Sequence, residues 1–411
     1  MSTSEAAASV TGAIFALTYL GLALGRVPGL RMDRAGIALV GAAAMLCAGS
    51  LSFGEAARSV DYETIVLLFG MMVVVAYLQL SGFFALATRQ IAIHFSGPKT
   101  LLAMVIGLSG VLSAFLVNDV VCVSMTPLVL GLCRRLKRPP VPYLIGLATA
   151  SNVGSVATIT GNPQNIIIGS LSGISYLRFC SRLAPIAVAG LVLNFLIVAM
   201  VYRKQLRQTV VAAEPERLRR PRVHRRLLAK SVVVTLATVA LFFAGQPIAL
   251  VALAAAAVLM FDRTRREKIY RTIDWPLLIM FTGLFVVVHA FELHVVRSWG
   301  LERWEAIRQS PVVMVSGLSV ALSNLVSNVP AVLLFKPLIE VIPQHEQAWL
   351  ALAMSSTLAG NLTLLGSVAN LIVVESARRS GTELGFFEYL KVGIPLTLLS
   401  TAMGVAWLSL T

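Results

Sequence analysis

Apolar residues fall along this chain in runs long enough to cross a bilayer, separated by short polar stretches. Such runs lie near 10–25, 35–53, 63–80, 100–133, 142–174 and 183–202, and again near 229–244, 247–261, 274–292, 311–342, 348–376 and 390–409. The runs 100–133 and 311–342 are too long for one crossing and carry polar residues in their middles. At roughly 1.5 Å per residue each makes either two thin crossings or a re-entrant hairpin of two half-helices. Asn118-Asp119 and Ser327-Asn328 fall near the turns, and irregular backbone at membrane depth needs protein or a watery cavity around it, so re-entrant hairpins are expected. The runs 142–174 and 348–376 are interrupted by SNVGSVATITGNPQN, Ser151 to Asn165, and by GNLTLLGSVAN, Gly360 to Asn370. Gly and Asn at those positions predict helices broken inside the membrane, the mark of a transporter that holds a solute at mid-depth.

The six runs of one half match the six of the other in order. Asp61 opens DYETIVLLFG and Asp274 opens DWPLLIMFTG, with Gly70 and Gly283 nine residues on. Asn118 stands nine residues before Pro127, and Asn328 nine before Pro337. Asn152 precedes the loop that ends at Asn165, as Asn361 precedes the one that ends at Asn370. An internal repeat follows. On this pairing the breaks are unequal, with eight residues between Asn152 and Gly161 against four between Asn361 and Gly366.

Charge sets the direction of each half. Arg26, Arg31 and Arg34 mark one loop as cytoplasmic, which puts Asp61 outside, whereas Arg263, Arg265, Arg266, Lys268 and Arg271 put Asp274 inside. The repeats are therefore inverted. The expected organisation is a first repeat over 1–202 (hairpin about 100–133, broken helix about 142–174), a basic cytoplasmic linker over 203–228, and a second repeat over 229–411 (hairpin about 311–342, broken helix about 348–376), with both termini outside. The fold class expected is an all-α polytopic membrane protein in a cell inner (plasma) membrane.

Composition narrows the classes. With 57% hydrophobic and 13% charged residues and a mean hydropathy of +0.83, lipid must cover much of the surface. The net charge of +15 lies in short blocks between apolar runs, so it reads as topology and not as nucleic-acid binding. Cys47, Cys122, Cys133 and Cys180 show no CxxC spacing, which argues against a metal site or a disulfide framework. Neither HExxH nor a Walker A sequence is present, and His345-Glu346 lacks a second His, so no enzyme and no cofactor are expected, while an associated ATPase subunit stays open.

Broken helices expose N–H groups at one half and carbonyls at the other, and two opposed breaks would surround one small cavity with donors and acceptors. Asn118, Asn152, Asn162, Gln164, Asn165, Asn328, Asn361 and Asn370 both donate and accept, and Gly154, Ser155, Thr160, Gly161, Ser327, Gly360, Gly366 and Ser367 complete the expected substrate site. Such a site suits a small uncharged polyhydroxyl solute such as As(OH)3 or Si(OH)4. Apart from Lys336, no Arg or Lys stands within these segments to clamp a polyanion.

Plainer readings stay open beside these. Gly and Asn also serve close helix packing. Asp119 is either a structural hydrogen-bonding partner or the proton-coupling group, which we favour because an ionised aspartate at the bilayer centre costs roughly 2.5–3.5 kcal/mol. Its repeat partner is the neutral Val329. His289, Glu292 and His294 read as a proton or metal path or as satisfied residues near a helix end. Lys336 reads as a snorkelling side chain, and Asp61 and Asp274 as helix-start residues.

The pairing of hairpin tips with broken helices resembles the ion transporter superfamily, which includes arsenite efflux permeases, NhaD-type antiporters and sodium-coupled dicarboxylate transporters. SNVGSVATITGNPQNIII and AGNLTLLGSVANLIVVESARR are most similar to the plant silicon efflux transporters and their arsenite-permease-like bacterial relatives. The resemblance implies an elevator-type secondary transporter, often a homodimer, for metalloid hydroxides or small anions, driven by protons or sodium. The dicarboxylate branch carries Ser-Asn-Thr at both tips, of which only Asn118, Ser327 and Asn328 carry over. Proton-coupled efflux of arsenite, antimonite or silicic acid is the function expected, with an associated role in arsenical resistance. The alternatives are a sodium-coupled small-anion transporter or sodium/proton antiporter of the same fold, and a passive channel.

Overall fold

The computed structural model describes residues 3–24, 32–94, 97–207, 223–261, 266–296, 309–340 and 342–411, and all regular structure in them is helical. Arg26, Arg31, Arg263, Arg265 and the middle of the basic linker lie outside the described residues. The first half holds α1 (Thr3–Leu24), α2 (Arg34–Cys47), α3 (Phe53–Ser59), α4 (Tyr62–Ser81), α5 (Phe83–His94), α6 (Pro98–Phe115), α7 (Asn118–Arg135), α8 (Val141–Ser155), α9 (Pro163–Ser172), α10 (Tyr176–Val201) and α11 (Arg203–Arg207). The second holds α12 (Arg225–Phe243), α13 (Ile248–Met260), α14 (Arg266–Tyr270), α15 (Trp275–His294), α16 (Pro311–Val326), α17 (Asn328–Ile339), α18 (His345–Ala359), α19 (Val368–Arg379) and α20 (Phe386–Leu410). Among the described residues, six helices (α4, α6, α10, α12, α15 and α20) are long and apolar enough to cross a membrane. The protein is a polytopic, all-helical membrane protein.

Local chemistry sets the helix ends. The Asp61 and Asp274 carboxylates accept from the backbone N–H of Thr64 and Leu277 at 3.2 and 3.0 Å, so both start their helices by capping orphan donors. Asp33 caps α2 in the same way, through Gly36 N–H at 2.9 Å. Each of the two longest helices carries a proline inside, Pro185 in α10 and Pro395 in α20, nine residues after the helix begins.

The helices pack in two groups. In the first, α2 lies on α15 and α4 on α13, with α1 and α12 alongside. In the second, α6 packs on α8, α16 on α18, α7 on α19 and α10 on α20. Gly70 and Gly283 make equivalent close approaches in the first group. A Cβ on Gly70 would stand 2.7 Å from the backbone of Ala252 in α13, and one on Gly283 would stand 2.7 Å from the backbone of Ala38 in α2. Each half thus lends a glycine to let a helix of the other half come close.

The same substitution should change sign with position. Gly70→Ala is expected to destabilise by about 1–3 kcal/mol, because a methyl must displace backbone. Gly107→Ala, which meets nothing within 4 Å, should be neutral or stabilise by up to about 1 kcal/mol through helix propensity. Thermal unfolding of the two variants in detergent checks this.

Candidate functional site

Both hairpin turns and both helix breaks converge in the second helix group. The α6–α7 turn is Leu116-Val117, and α7 begins at Asn118. The α16–α17 turn is Ser327, which holds φ +77°, a region in which a β-carbon is strained. The first break lies between Ser155 and Pro163 and includes a short 3-10 turn over 159–161; the second lies between Ala359 and Val368.

Asparagine side chains replace the hydrogen bonds that the breaks remove. Asn165 Nδ2 donates to the carbonyls of Ser155 and Thr158, both at 3.0 Å. Asn370 Nδ2 donates to those of Gly360 and Thr363, at 2.8 and 3.3 Å. Ser155 and Gly360, Thr158 and Thr363, Gly161 and Gly366, Asn165 and Asn370 all stand 205 positions apart. The breaks are therefore equal in register. This corrects the pairing of Asn152 with Asn361: the partner of Asn152 is Thr357, and Asn361 matches Val156. An alignment anchored on GNPQN and GSVAN carries that signal, and the shared Asn-x-Gly appearance of the loops obscures it.

Asn152 and Thr357 cross between the halves. Asn152 Nδ2 donates to Asn361 Oδ1 at 2.9 Å and to Asn370 Oδ1 at 3.2 Å, and its Oδ1 accepts from Ser367 Oγ at 3.1 Å and from Asn118 Nδ2 at 3.0 Å. Thr357 Oγ1 accepts from Asn162 Nδ2 at 3.1 Å and Gln164 Nε2 at 3.3 Å, and donates to Asn165 Oδ1 at 3.3 Å. Each break is thereby held by a side chain from the opposite half. The hairpins join in the same paired way: Thr158 Oγ1 donates to the Ala114 carbonyl in α6, and Thr363 Oγ1 donates to Asn324 Oδ1 in α16 at 3.5 Å.

A cavity of about 740 Å³ opens beside this network. Of the expected site residues, Asn118, Gln164, Ser327, Asn328 and Ser367 line it, together with Asp119. Asn152, Asn162, Asn165, Asn361 and Asn370 form the buried network behind the lining. The remaining positions shape the breaks. Gly154 abuts Gly110, and a Cβ on Gly161 would stand 2.1 Å from the Ser155 carbonyl. Gly360 lies against the Asn328 amide and Gly366 against Asn324. Ser155 Oγ accepts from Asn162 Nδ2 at 2.9 Å, and Thr160 Oγ1 shares a hydrogen bond of 2.8 Å with the Tyr176 hydroxyl.

Two polar atoms on this lining lack a partner. Asn118 Oδ1 and Asn328 Oδ1 are buried and accept no hydrogen bond. Their residues are only 4% and 8% exposed. An unsatisfied buried carbonyl is costly, and it invites a donor from a ligand.

Charge in the cavity differs from the sequence-based expectation. Asp33, Arg34 and Asp274 line it beside Asp119, although Arg34 reads in sequence as a loop charge. The expectation that no Arg stands at the site is therefore wrong; the tertiary fold carries the start of α2 to the second hairpin tip, where Arg34 Nη1 donates to Ser327 Oγ at 3.3 Å. Lys336 instead pairs with Glu292, Nζ to Oε2 at 3.5 Å. His294 Nε2 hydrogen-bonds the Ser50 carbonyl at 2.8 Å.

Comparison with known proteins agrees with this architecture. The sequence model of the citrate transporter family matches residues 19–359. The chain is 31% identical to the silicon efflux transporter LSI3 of Oryza sativa subsp. japonica, over 92% of this chain and 93% of that protein. It is 26% identical to the putative transporter arsB of Dictyostelium discoideum, over 92% and 87%. The crystal structure of the Alcanivorax borkumensis YdaH transporter shares the fold, with a TM-score of 0.60 at 17% identity over 99% of this chain and 97% of that one.

The network predicts unequal costs. Asn152→Ala strands partners from four residues and should destabilise by on the order of 3 kcal/mol or more, whereas Thr160→Val removes the bond to Tyr176 and a longer one of 3.4 Å to Thr158 and should cost about 1–2 kcal/mol. Thermal melting of the two variants in detergent orders them.

Proposed function

This chain belongs to the citrate transporter family, and we propose that it is a proton-coupled secondary exporter of a small metalloid hydroxide such as As(OH)3 or Si(OH)4. The observation that carries the proposal is the pair of buried, unpartnered acceptors at the hairpin tips, Asn118 Oδ1 and Asn328 Oδ1. A neutral hydroxide carries several hydroxyl donors, the kind of group these acceptors lack. Its oxygens in turn accept from Gln164 and Ser327 along the same lining. The silicon efflux named for the rice relative, and the arsB name of the other, fit a solute of this kind.

Asp119 is the proton carrier in this reading. It sits in the first turn of α7 beside Asn118 and faces the cavity. A protonated carboxyl crosses the apolar core far more cheaply than a carboxylate, so binding a proton lets the empty site return while solute moves the other way. The second helix group would move as the carrier, holding both hairpins and both breaks, against the first group as scaffold. The paired crossings of Asn152 and Thr357 support two inverted repeats, because each half contributes the same element to the other's break. On the charge pattern of the sequence, the cavity at Arg34 and Asp274 opens towards the cytoplasm.

A second reading is a small carboxylate held by Arg34. The family's citrate name and the guanidinium favour it; the three carboxyls of Asp33, Asp119 and Asp274 around that single cation oppose it.

Proteoliposomes offered arsenite, antimonite, silicic acid and citrate, with proton and sodium gradients imposed separately, decide between these readings. The expected result is accumulation of a hydroxide driven by the proton gradient, with no competition by citrate. Asp119→Asn should abolish gradient-driven accumulation while leaving solute exchange down its own gradient. Proton-driven accumulation that survives in Asp119→Asn removes Asp119 from the mechanism, and equal movement without any gradient makes the protein a channel.

A further inference from the structure

The second hairpin is tied to the first helix group at its tip. Arg34 Nη1 donates to Ser327 Oγ at 3.3 Å, and the Tyr19 hydroxyl donates to the Pro330 carbonyl at 3.0 Å. The Lys336–Glu292 pair makes a third link further along α17. Tyr19 is 5% exposed, and its ring stacks on Phe15 with centroids 4.4 Å apart, so its hydroxyl has a fixed place to point. Ser327 is the residue with φ +77°, and a strained residue persists only where its surroundings hold it. At the tip of the first hairpin, Asn118 is held within its own group by Asn152. The two tips are therefore anchored to different bodies.

We propose that Arg34 and Tyr19 are positioning residues of the transport cycle, which hold the second hairpin tip so that the cavity opens on the Arg34 side, and which release it when the cavity opens on the other. The contacts favour one conformation because they join parts that separate in the other, and a differential contact of that kind sets a population. A second cavity, of about 490 Å³, marks the opposite side and is lined by Tyr62, Ile159, Ser175, Tyr176 and Gln246. The Thr160–Tyr176 hydrogen bond stands at the first break beside it, with the Tyr176 ring against Phe242 and Phe243 at centroid distances of 5.2 and 5.1 Å. Opening that side requires Ser327 and Pro330 to leave Arg34 and Tyr19. The proposal rests on the reading that solute passes through the cavity at Arg34, but it does not depend on which solute.

The test needs no solute. In the full chain with its four native cysteines replaced, Leu365→Cys places a thiol on the cavity lining, at a residue 65% exposed. Its rate of reaction with a membrane-impermeant maleimide is measured in lipid nanodiscs. Arg34→Ala, Tyr19→Phe and Ser327→Ala should each slow labelling by about three- to tenfold, the scale of one lost hydrogen bond. Arg34→Lys should restore most of the rate. Ser327→Ala and Tyr19→Phe decide the matter if Arg34→Ala does not fold. Labelling within twofold of the parent in Tyr19→Phe and Ser327→Ala overturns the proposal. If labelling responds while arsenite, antimonite and silicic acid are all left untransported, the metalloid reading fails and the positioning role stands.

Discussion

The structure depends on one constraint: a helix broken at membrane depth leaves backbone groups that water does not reach. Each such group costs several kcal/mol if it stays unpaired in an apolar medium. Asn165 and Asn370 meet that cost by donating to the two carbonyls their own breaks set free. With the backbone satisfied from behind, the amide oxygens of Asn118 and Asn328 at the two hairpin tips are left without a partner. The polar residues therefore divide into those that make the breaks tolerable and those available to a ligand.

The second feature is that neither break is self-sufficient. Asn152 from the first half holds Ser367 and Asn370, and Thr357 from the second half holds Asn162, Gln164 and Asn165. The crossing makes one rigid unit of four elements that are far apart in sequence. A network in a low-dielectric site that is fully satisfied rigidifies what it joins, which is what a carrier of intact binding geometry requires. Outside it, the first helix group meets the second hairpin through a shared apolar core and few polar contacts.

Charge in the cavity follows from where helices start. Asp33 and Asp274 cap α2 and α15, and those helix starts lie beside the hairpin tips, so capping carboxylates and Arg34 become part of the lining. The result is a cavity with three carboxyls and one guanidinium around two amide acceptors. That surplus of carboxyls over guanidinium repels a polyanion.

Much of the architecture was legible because the bilayer restricts the chain to helices, and the interruptions of apolar runs are then informative. The helix pairs α6–α7 and α16–α17 turn just before Asn118 and Asn328, and the helices over 141–172 and 345–379 are each interrupted once. The residue types of the lining were legible as well, from Asn and Gly where smooth helix would otherwise run. Which asparagines face the cavity and which face the backbone was not, since both uses ask for the same amide. Arg34 was hidden because topology explains a basic loop residue completely. Thr357 was hidden because it looks like an ordinary helical threonine until the register of 205 residues brings it opposite Asn152. Local pattern alone determined the elements and their breaks, through backbone hydrogen bonding in an apolar medium. Only the tertiary structure decided which side chain crosses to which half, because those contacts join residues some two hundred positions apart whose spacing no local rule constrains.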